Sequence, residues 1–357
     1  MRTGIVGCGR IAAFHLPPVL ARVGPGSVTV TDLNRDAARR LARTYGLNGS
    51  HPDLDAMLAH NRPDVVHILT PPATHAALTI RALKAGCHAL VEKPMAMTSR
   101  EAMSMVDAAR QHDRKLCVNH NFRWHPQMGK ALALVEQGRA GRVLSADVRF
   151  AFDAGRAQPI GTDGRQAGDG WLSGLAGGIL FDALSHPASV LLQITGEPVR
   201  VSSVMRCNGI TGDGAADELS AIVEGVDAMG TLSISLGTRP DCFTATIYAT
   251  RMTIHVNCSN MTMVVRRHRK IPKAAYRVLD NIGQAVGLFS NTLSGCLGVA
   301  LGRVGPPGDV APVINRFYDS IEKGLMPPVP GHQAMHVMRL ADEIWQSVPD
   351  ATVVNIR

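Results

Sequence analysis

Several residues in this sequence have the types and spacing to do chemistry. In Gly177-Gly178-Ile-Leu-Phe-Asp182-Ala-Leu-Ser-His186 the acid and the imidazole are i and i+4, so on a helix they share one face. An imidazole is the side chain best suited to take a proton near neutral pH. A neighbouring carboxylate orients it and favours its charged form. A lone histidine is more often a capping or core residue; the acid partner and the glycine pair point to a site here. Glu92-Lys93-Pro94 follows the apolar run His88 to Val91. Charged residues at the carboxyl end of a parallel strand face the crevice where ligands bind. Thr70-Pro71-Pro72 ends the preceding strand in the same crevice, and His75 opens the next helix. A cis Pro94 would fix the direction of Lys93.

Gly7-Cys8-Gly9-Arg10-Ile11-Ala12 fits the dinucleotide-binding pattern G-x-G-x-x-[G/A], after a strand and at the opening of a helix. Gly7 allows the tight turn, Gly9 lets a pyrophosphate approach the backbone, and Ala12 lets helix and strand pack closely. The helix start then offers N–H groups and a positive dipole end to the phosphates. Asp32 stands 20 residues beyond Ala12, at the end of the second strand. A carboxylate there accepts hydrogen bonds from the ribose hydroxyls and repels a 2′-phosphate, which favours NAD over NADP. Arg35 works the other way, since a guanidinium could pair with that phosphate.

The elements that must carry these residues are legible as pattern. Thr3 to Val6, Ser27 to Thr31, Val65 to Leu69, His88 to Val91 and Leu116 to Asn119 predict strands. Helical patterns lie between them: Ile11 to Val23, Asp36 to Tyr45, His75 to Ala85, and Ser99 to His112 with Ser99 as N-cap. Wholly apolar strands alternating with helices predict a parallel sheet covered on both faces. After Trp124 the pattern changes. A helix over Gly129 to Gln137 precedes Val143–Phe152, Val199–Asn208, Leu219–Glu224, Gly230–Leu236, Phe243–Tyr248, Met252–Asn257 and Met261–Arg266, which predict an antiparallel meander. A helix over Gly178 to Gln193 interrupts it, and Val313–Lys323 and Gln333–Ser347 return to helix. The expectation is α/β followed by α+β: a Rossmann domain over 1–121 and a substrate-binding and oligomerisation domain over 122–357. The C-terminal helices are free to pack back on the first domain.

Composition bounds the function. The 357 residues include Lys+Arg 37 and Asp+Glu 29, a net charge of +8 that suits an anionic ligand. Aromatics at 4% argue against a base-stacking nucleic-acid surface. The 7 cysteines form no C-x-x-C pair, so neither a disulfide framework nor a cysteine zinc site is expected. His332 and His336 lack an evident third ligand, and no metal site is expected. The start has no signal-peptide pattern, and the expected compartment is the cytoplasm. Arg266-Arg-His-Arg-Lys270, with Lys273, is basic, and the uncharged run Asn281 to Gly302 follows it. Gly283, Gly287, Gly295 and Gly298 suggest subunit packing first. A basic segment before an apolar helix is also how peripheral membrane anchors look.

Together these motifs resemble the Gfo/Idh/MocA oxidoreductase family, over nearly the whole chain. The resemblance rests on the glycine loop, Asp32, Thr70-Pro71 with His75, Ala85-Gly86 and Glu92-Lys93-Pro94. It continues through Arg123-x-x-Pro126, Gly138-x-x-Gly141, Trp171, Gly177-Gly178 and Asp182-x-x-x-His186. It implies an N-terminal Rossmann domain and a C-terminal open, mostly antiparallel sheet, one face of which often forms the interface of a homo-oligomer, dimer or tetramer. It implies that Lys93 contacts the reacting oxygen on the nicotinamide side, that His186 accepts the proton beside Asp182, and that Trp171 lies near the cofactor. Leu184, Ser189 and Leu172 depart from the family's usual glycine, acid and arginine, all on the substrate side.

The expected function is hydride transfer between NAD(H) and a secondary alcohol or ketone of a sugar, cyclitol or sugar nucleotide. The alternatives are a non-catalytic dinucleotide-binding sensor or repressor, and a redox-neutral NAD-dependent epimerase or glycosidase.

Overall fold

The structure is a computed structural model that describes residues 1–154, 177–211, 214–268, 271–301, 308–348 and 354–355. The chain divides into two compact units: residues 1–121 with 309–339, and residues 122–308 with 340–357.

The first unit is built on one parallel sheet. Its strands are β1 (Thr3–Val6), β2 (Val28–Thr31), β3 (Ser50–His51), β4 (Val65–Ile68), β5 (His88–Val91) and β6 (Leu116–Val118), in the order β3-β2-β1-β4-β5-β6. Every residue of β1, β2 and β4 is buried, as a sheet covered on both faces requires. The helices α1 (Ala12–Val23), α2 (Arg35–Tyr45), α3 (Leu54–Asn61), α4 (His75–Lys84) and α5 (Ser99–Gln111) alternate with the strands. The order reverses at β1, which has β2 on one side and β4 on the other, so the carboxyl ends of β1 and β4 form the crevice of a doubly wound sheet.

The N-cap of α5 is corrected. Thr98 is still extended (φ −142°, ψ 158°), and its hydroxyl accepts from the Glu101 N–H at 3.2 Å. Ser99, the expected cap, is already helical. A cap must leave the helix to aim its oxygen at the free N–H groups, and only Thr98 does.

The second unit begins with α6 (Pro126–Glu136), which starts earlier than its apolar pattern because Pro126 occupies the first turn and His125 caps it. Then come β7 (Val143–Asp153), α7 (Gly178–Thr195), β8 (Pro198–Cys207), β9 (Glu218–Gly225), β10 (Met229–Ser235), β11 (Gly237–Ala249), β12 (Met252–Asn257) and β13 (Thr262–Arg267). The chain continues through α8 (Lys273–Ala300), α9 (Ala311–Glu322), α10 (Gly331–Ser347) and β14 (Val354–Asn355). The sheet runs β13-β12-β11-β7-β10-β9-β8-β14.

It is mostly antiparallel but not one meander. β8-β9-β10 and β11-β12-β13 are two meanders, and β7 is inserted between them, antiparallel to β11 and parallel to β10. β14 also adds in parallel, on β8. The apolar helix α7 lies against β7, β9 and β10. α9 belongs to the first unit, where Arg22 of α1 pairs with its Asp319 and Glu322.

Candidate active site

The glycine loop joins β1 to α1. Gly7 has φ +98°, and a Cβ there would stand 2.8 Å from the Leu69 carbonyl group, so any side chain would force the loop off the end of β4. At Gly9 a Cβ would meet nothing within 4 Å, which leaves open space beside the backbone. Arg10 and Ile11 complete the turn, and the first turn-type bond runs from the Ala12 N–H to the Gly9 carbonyl at 3.1 Å. Helix starts leave such leading N–H groups for a ligand, and the first turn of α1 holds no acidic residue to compete with phosphate.

Asp32, just past β2, is already oriented. Its Oδ2 accepts from the Cys8 N–H at 2.7 Å and its Oδ1 from the Asn34 N–H at 2.7 Å. Each oxygen keeps a second lone pair, so the carboxylate can still receive ribose hydroxyls. Burial first, and the Asp32 charge second, push the Cys8 thiol up to about 12, so it stays protonated. Asn34 caps α2, accepting from the Asp36 and Ala37 N–H groups, and Arg35 opens the helix, exposed. Gly7, Gly9, Ala12 and Asp32 thus fit a bound dinucleotide.

The ends of β4, β5 and β6 carry the rest of this half. The Thr74 hydroxyl donates to the Pro71 carbonyl at 2.8 Å, and Thr70 Oγ1 sits 2.7 Å from it. His75 is fully buried, with Nδ1 at 2.8 Å from the Pro94 carbonyl and Nε2 at 2.6 Å from the Thr70 carbonyl. Its ring is spent on joining the end of β4 to the Lys93–Pro94 turn, whose peptide is cis. One ring proton satisfies one carbonyl; burial, which opposes the doubly protonated ring, pulls the His75 pKa down despite both contacts.

Glu92 also faces inward. Its Oε1 accepts from Asn119 Nδ2 at 2.6 Å and from His15 Nε2 at 2.8 Å, and its Oε2 from the Lys93 N–H at 3.2 Å. Burial alone would raise this carboxyl. The His15 hydrogen bond and charge, with Asn119 and Lys93, outweigh burial and hold it below the usual carboxylate range. The Lys93 side chain, by contrast, is half-exposed.

Sequence reasoning did not find the chain of buried groups behind Glu92. His15 Nδ1 lies 2.9 Å from His67 Nδ1, His67 Nε2 lies 3.1 Å from Tyr318 Oη, and Tyr318 Oη lies 2.9 Å from Thr3 Oγ1. The available signal was His67 itself, an imidazole within the apolar strand Val-Val-His-Ile. Asn119 and His120, just past β6, were also missed. Both are buried, and Asn119 Oδ1 and His120 Nε2 find no hydrogen-bond partner among the described residues.

In the second unit, α7 carries Asp182 and His186. It starts at Gly177 (φ +88°) and Gly178 (φ +53°). A Cβ at Gly177 would run into the Trp345 ring, which explains the first glycine of the pair. From Leu180 to Leu191 every residue is buried except Asp182 and His186. A helix closed on nearly all sides therefore opens at its acid and its imidazole. The His186 ring is held edge-on by Phe122 (centroids 4.9 Å apart) and Phe150 (5.6 Å). Ser189, where the family often has an acid, donates to the His186 carbonyl at 2.8 Å. Trp171 and Leu172 lie outside the described residues.

Comparison with known proteins agrees with this geometry. Residues 1–120 match the model of an oxidoreductase family with an NAD-binding Rossmann fold, and residues 128–256 match the GFO/IDH/MocA C-terminal domain. The chain belongs to the Gfo/Idh/MocA oxidoreductase family. Among its Gfo/Idh/MocA relatives is the 1-carboxy-3-chloro-3,4-dihydroxycyclohexa-1,5-diene dehydrogenase of Comamonas testosteroni. It is 30% identical over 210 residues, 57% of this chain and 50% of that protein. The dTDP-3,4-didehydro-2,6-dideoxy-alpha-D-glucose 3-reductase of Streptomyces violaceoruber is 30% identical over 214 residues, 59% of this chain and 60% of the reductase. The matches thus span between half and three-fifths of these two proteins. Among solved structures, the WlbA dehydrogenase of Bordetella pertussis, in complex with NADH and UDP-GlcNAcA, superposes with a TM-score of 0.75 at 22% identity. That alignment covers 97% of this chain and 95% of WlbA, a likeness of fold.

Proposed function

We propose that this protein is an NAD(H)-dependent dehydrogenase acting on a secondary hydroxyl of a sugar nucleotide. The observation that carries the reading is α7, buried on every side from Leu180 to Leu191 except at Asp182 and His186. Relatives that act on a dTDP-sugar or bind UDP-GlcNAcA, together with the net charge of +8, support an anionic sugar.

In this reading Gly7, Gly9, Arg10, Ile11 and Ala12 hold the pyrophosphate, and Asp32 receives the adenosine ribose, which favours NAD over NADP. Arg35, Thr70, Pro71 and Trp171 complete the cofactor contacts, while Glu92 and His75 hold the Lys93 turn. When bound, the nicotinamide supplies the acceptor for the hydride that leaves the substrate carbon. His186 takes the hydroxyl proton, and Asp182, one turn earlier on the same face, orients the ring and favours its protonated form. Lys93 places its ammonium where negative charge develops on the substrate oxygen. Overall, alcohol and NAD become ketone, NADH and a proton.

The test is NADH fluorescence with a panel of UDP- and dTDP-sugars, run beside His186→Ala. The expected result is turnover by the parent and a loss of roughly 10²–10⁴-fold in kcat with NAD affinity retained in the variant. Parent-like turnover by His186→Ala would remove His186 from the reaction. NAD binding without turnover of any member would remove the sugar-nucleotide assignment.

A further inference from the structure

Phe122, Phe150, Phe152 and Phe243 are half of the chain's 8 phenylalanines, and they pack as one cluster in the second unit. Phe243, 1% exposed, is its floor. Phe122 stacks on it, with centroids 4.2 Å apart and planes 14° from parallel. Phe150, its partner across the β7–β11 pair, lies 5.4 Å away, and Phe152 lies 5.1 Å from Phe150. Alternate residues of β7 share one side of the sheet. Phe150 touches His186 of α7, so its side is the one that α7 covers. Ala146 and Val148 are fully buried on that side. Phe150 and Phe152, further along the same side, are only half-buried, and so is Phe122. Three rings thus keep open apolar surface beside His186.

A mainly apolar wall with few polar groups to fix orientation is the make-up of a small-molecule pocket. Chemistry says which part of a ligand meets this wall. A hydroxyl bonded to His186 stands about 2.6–3.2 Å from a ring nitrogen. The Phe122 and Phe150 centroids are 4.9 Å and 5.6 Å from that of the imidazole. The carbons next to the one that bears the hydroxyl are therefore within reach of the two phenyl rings. A phenyl ring takes a C–H against its face but offers no hydrogen bond to an O–H. A hydroxyl turned to it gives up water and receives nothing in return. A wall of this kind disfavours an added hydroxyl by up to roughly 10²-fold.

We propose that Phe122 and Phe150 are specificity-determining residues and that the substrate is a deoxysugar nucleotide, whose CH2 group beside the oxidised carbon faces these two rings. The inference rests on His186 as the group that receives the substrate hydroxyl.

The probes are UDP-glucose and its 2-, 3- and 4-deoxy forms. Whichever secondary carbon of the ring bearing a hydroxyl is oxidised, one of these forms places CH2 beside it. Calorimetry with NADH present reads their binding to the full chain without turnover. At least one deoxy form should bind roughly 10-fold or more tighter than UDP-glucose. Phe150→Leu, still apolar, should keep most of this ratio. Phe150→Gln, of similar size but with a donor and an acceptor, should abolish it. A purely structural ring would leave the ratio unmoved in both variants. Circular dichroism and NAD titration establish that each is folded; Phe122→Leu and Phe122→Gln make the same comparison at the second ring. Binding of none of the probes, UDP-glucose bound as tightly as every deoxy form, or a parent-like ratio in the folded Gln variants overturns the proposal. Turnover with NAD is measured separately. Discrimination in binding without turnover of any probe removes the dehydrogenase reading and leaves the deoxysugar contact standing.

Discussion

His15 Nδ1 and His67 Nδ1 face each other at 2.9 Å inside the first unit, so one imidazole donates and the other accepts. The Glu92 carboxylate decides which. It accepts from His15 Nε2, so a neutral His15 has its proton there and its Nδ1 is the acceptor. His67 then donates from Nδ1 and accepts on Nε2 from the Tyr318 hydroxyl, which in turn accepts from Thr3. With His15 neutral, all donors point towards Glu92. Burial, and then the charge of a protonated His15, push the His67 pKa well down, so His67 stays neutral. Tyr318→Phe removes one donor and leaves His67 Nε2 buried and unpaired, for a loss of roughly 1–3 kcal/mol. His67→Val should cost a similar amount. The double variant should lose less than the sum, with coupling of at least about 0.5 kcal/mol in a urea-unfolding cycle. Strict additivity would mean that the two residues do not act through their bond.

His120 sets an acid limit. Burial is the main cause that pushes its pKa down to about 4, with the Lys93 charge adding and the Glu92 charge opposing. The unfolded value is about 6.5, so the unfolded chain binds the proton first as pH falls. The stability present above pH ~6.5 is therefore lost progressively towards the folded pKa, on the order of 3 kcal/mol from this residue. His120→Asn should flatten the fall of stability over that window, measured by denaturant melts at successive pH values. His125 and His67 are shifted the same way and leave a residual slope.

Asp32 is predicted to serve both loop and ligand. Asp32→Ala removes the acceptor of the Cys8 N–H as well as the ribose partner. NAD affinity should fall roughly 10–100-fold, as expected for hydrogen bonds to a charged group. The preference should shift towards NADP, because the repulsion of a 2′-phosphate is gone. Fluorescence titration with both cofactors reads this. An unchanged NAD to NADP ratio would remove Asp32 from cofactor choice.

Lys93 and Glu92 should separate by what they change. Lys93→Met removes the charge but keeps much of the bulk. It should lower kcat by roughly 10²-fold or more while leaving NAD affinity and the melting temperature near the parent's. Glu92→Gln removes the buried charge beside His15 and turns one of the acceptor oxygens into a donor that the surrounding donors cannot match, so it should lower stability as well as rate. Stopped-flow hydride transfer and thermal melts together distinguish the two. A Lys93→Met variant that transfers hydride at the parent rate would make the turn purely structural.

The cofactor half was the most legible part of the chain because its signals are local. Gly7 to Ala12 and the strand before them lie within twelve residues, and Asp32 follows at a fixed distance. The parallel pairing of β7 with β10 was not legible. The same alternating pattern serves parallel and antiparallel neighbours, and some eighty residues separate the two strands. The His15, His67 and Tyr318 chain was hidden similarly, its members 52 and 251 residues apart. Ser99 and Thr98 are both good caps by composition, and only the backbone angles choose between them. The uncharged run 281–302 could be seen, but not which side of α8 it would turn outward; that follows from Asp280, Gln284 and Asn291 bonding on the inner side.

Trp345 touches the start of α7, where a side chain at Gly177 would strike its ring, and lies edge-on to Phe181 at 5.8 Å. The helix that bears Asp182 and His186 therefore has an optical probe built against its first turn, on a segment near the end of the chain. With Trp124 and Trp171 replaced by phenylalanine, the emission of the remaining indole becomes a private record of that turn. It would register any loosening of α7 in real time, without a label and without a substrate.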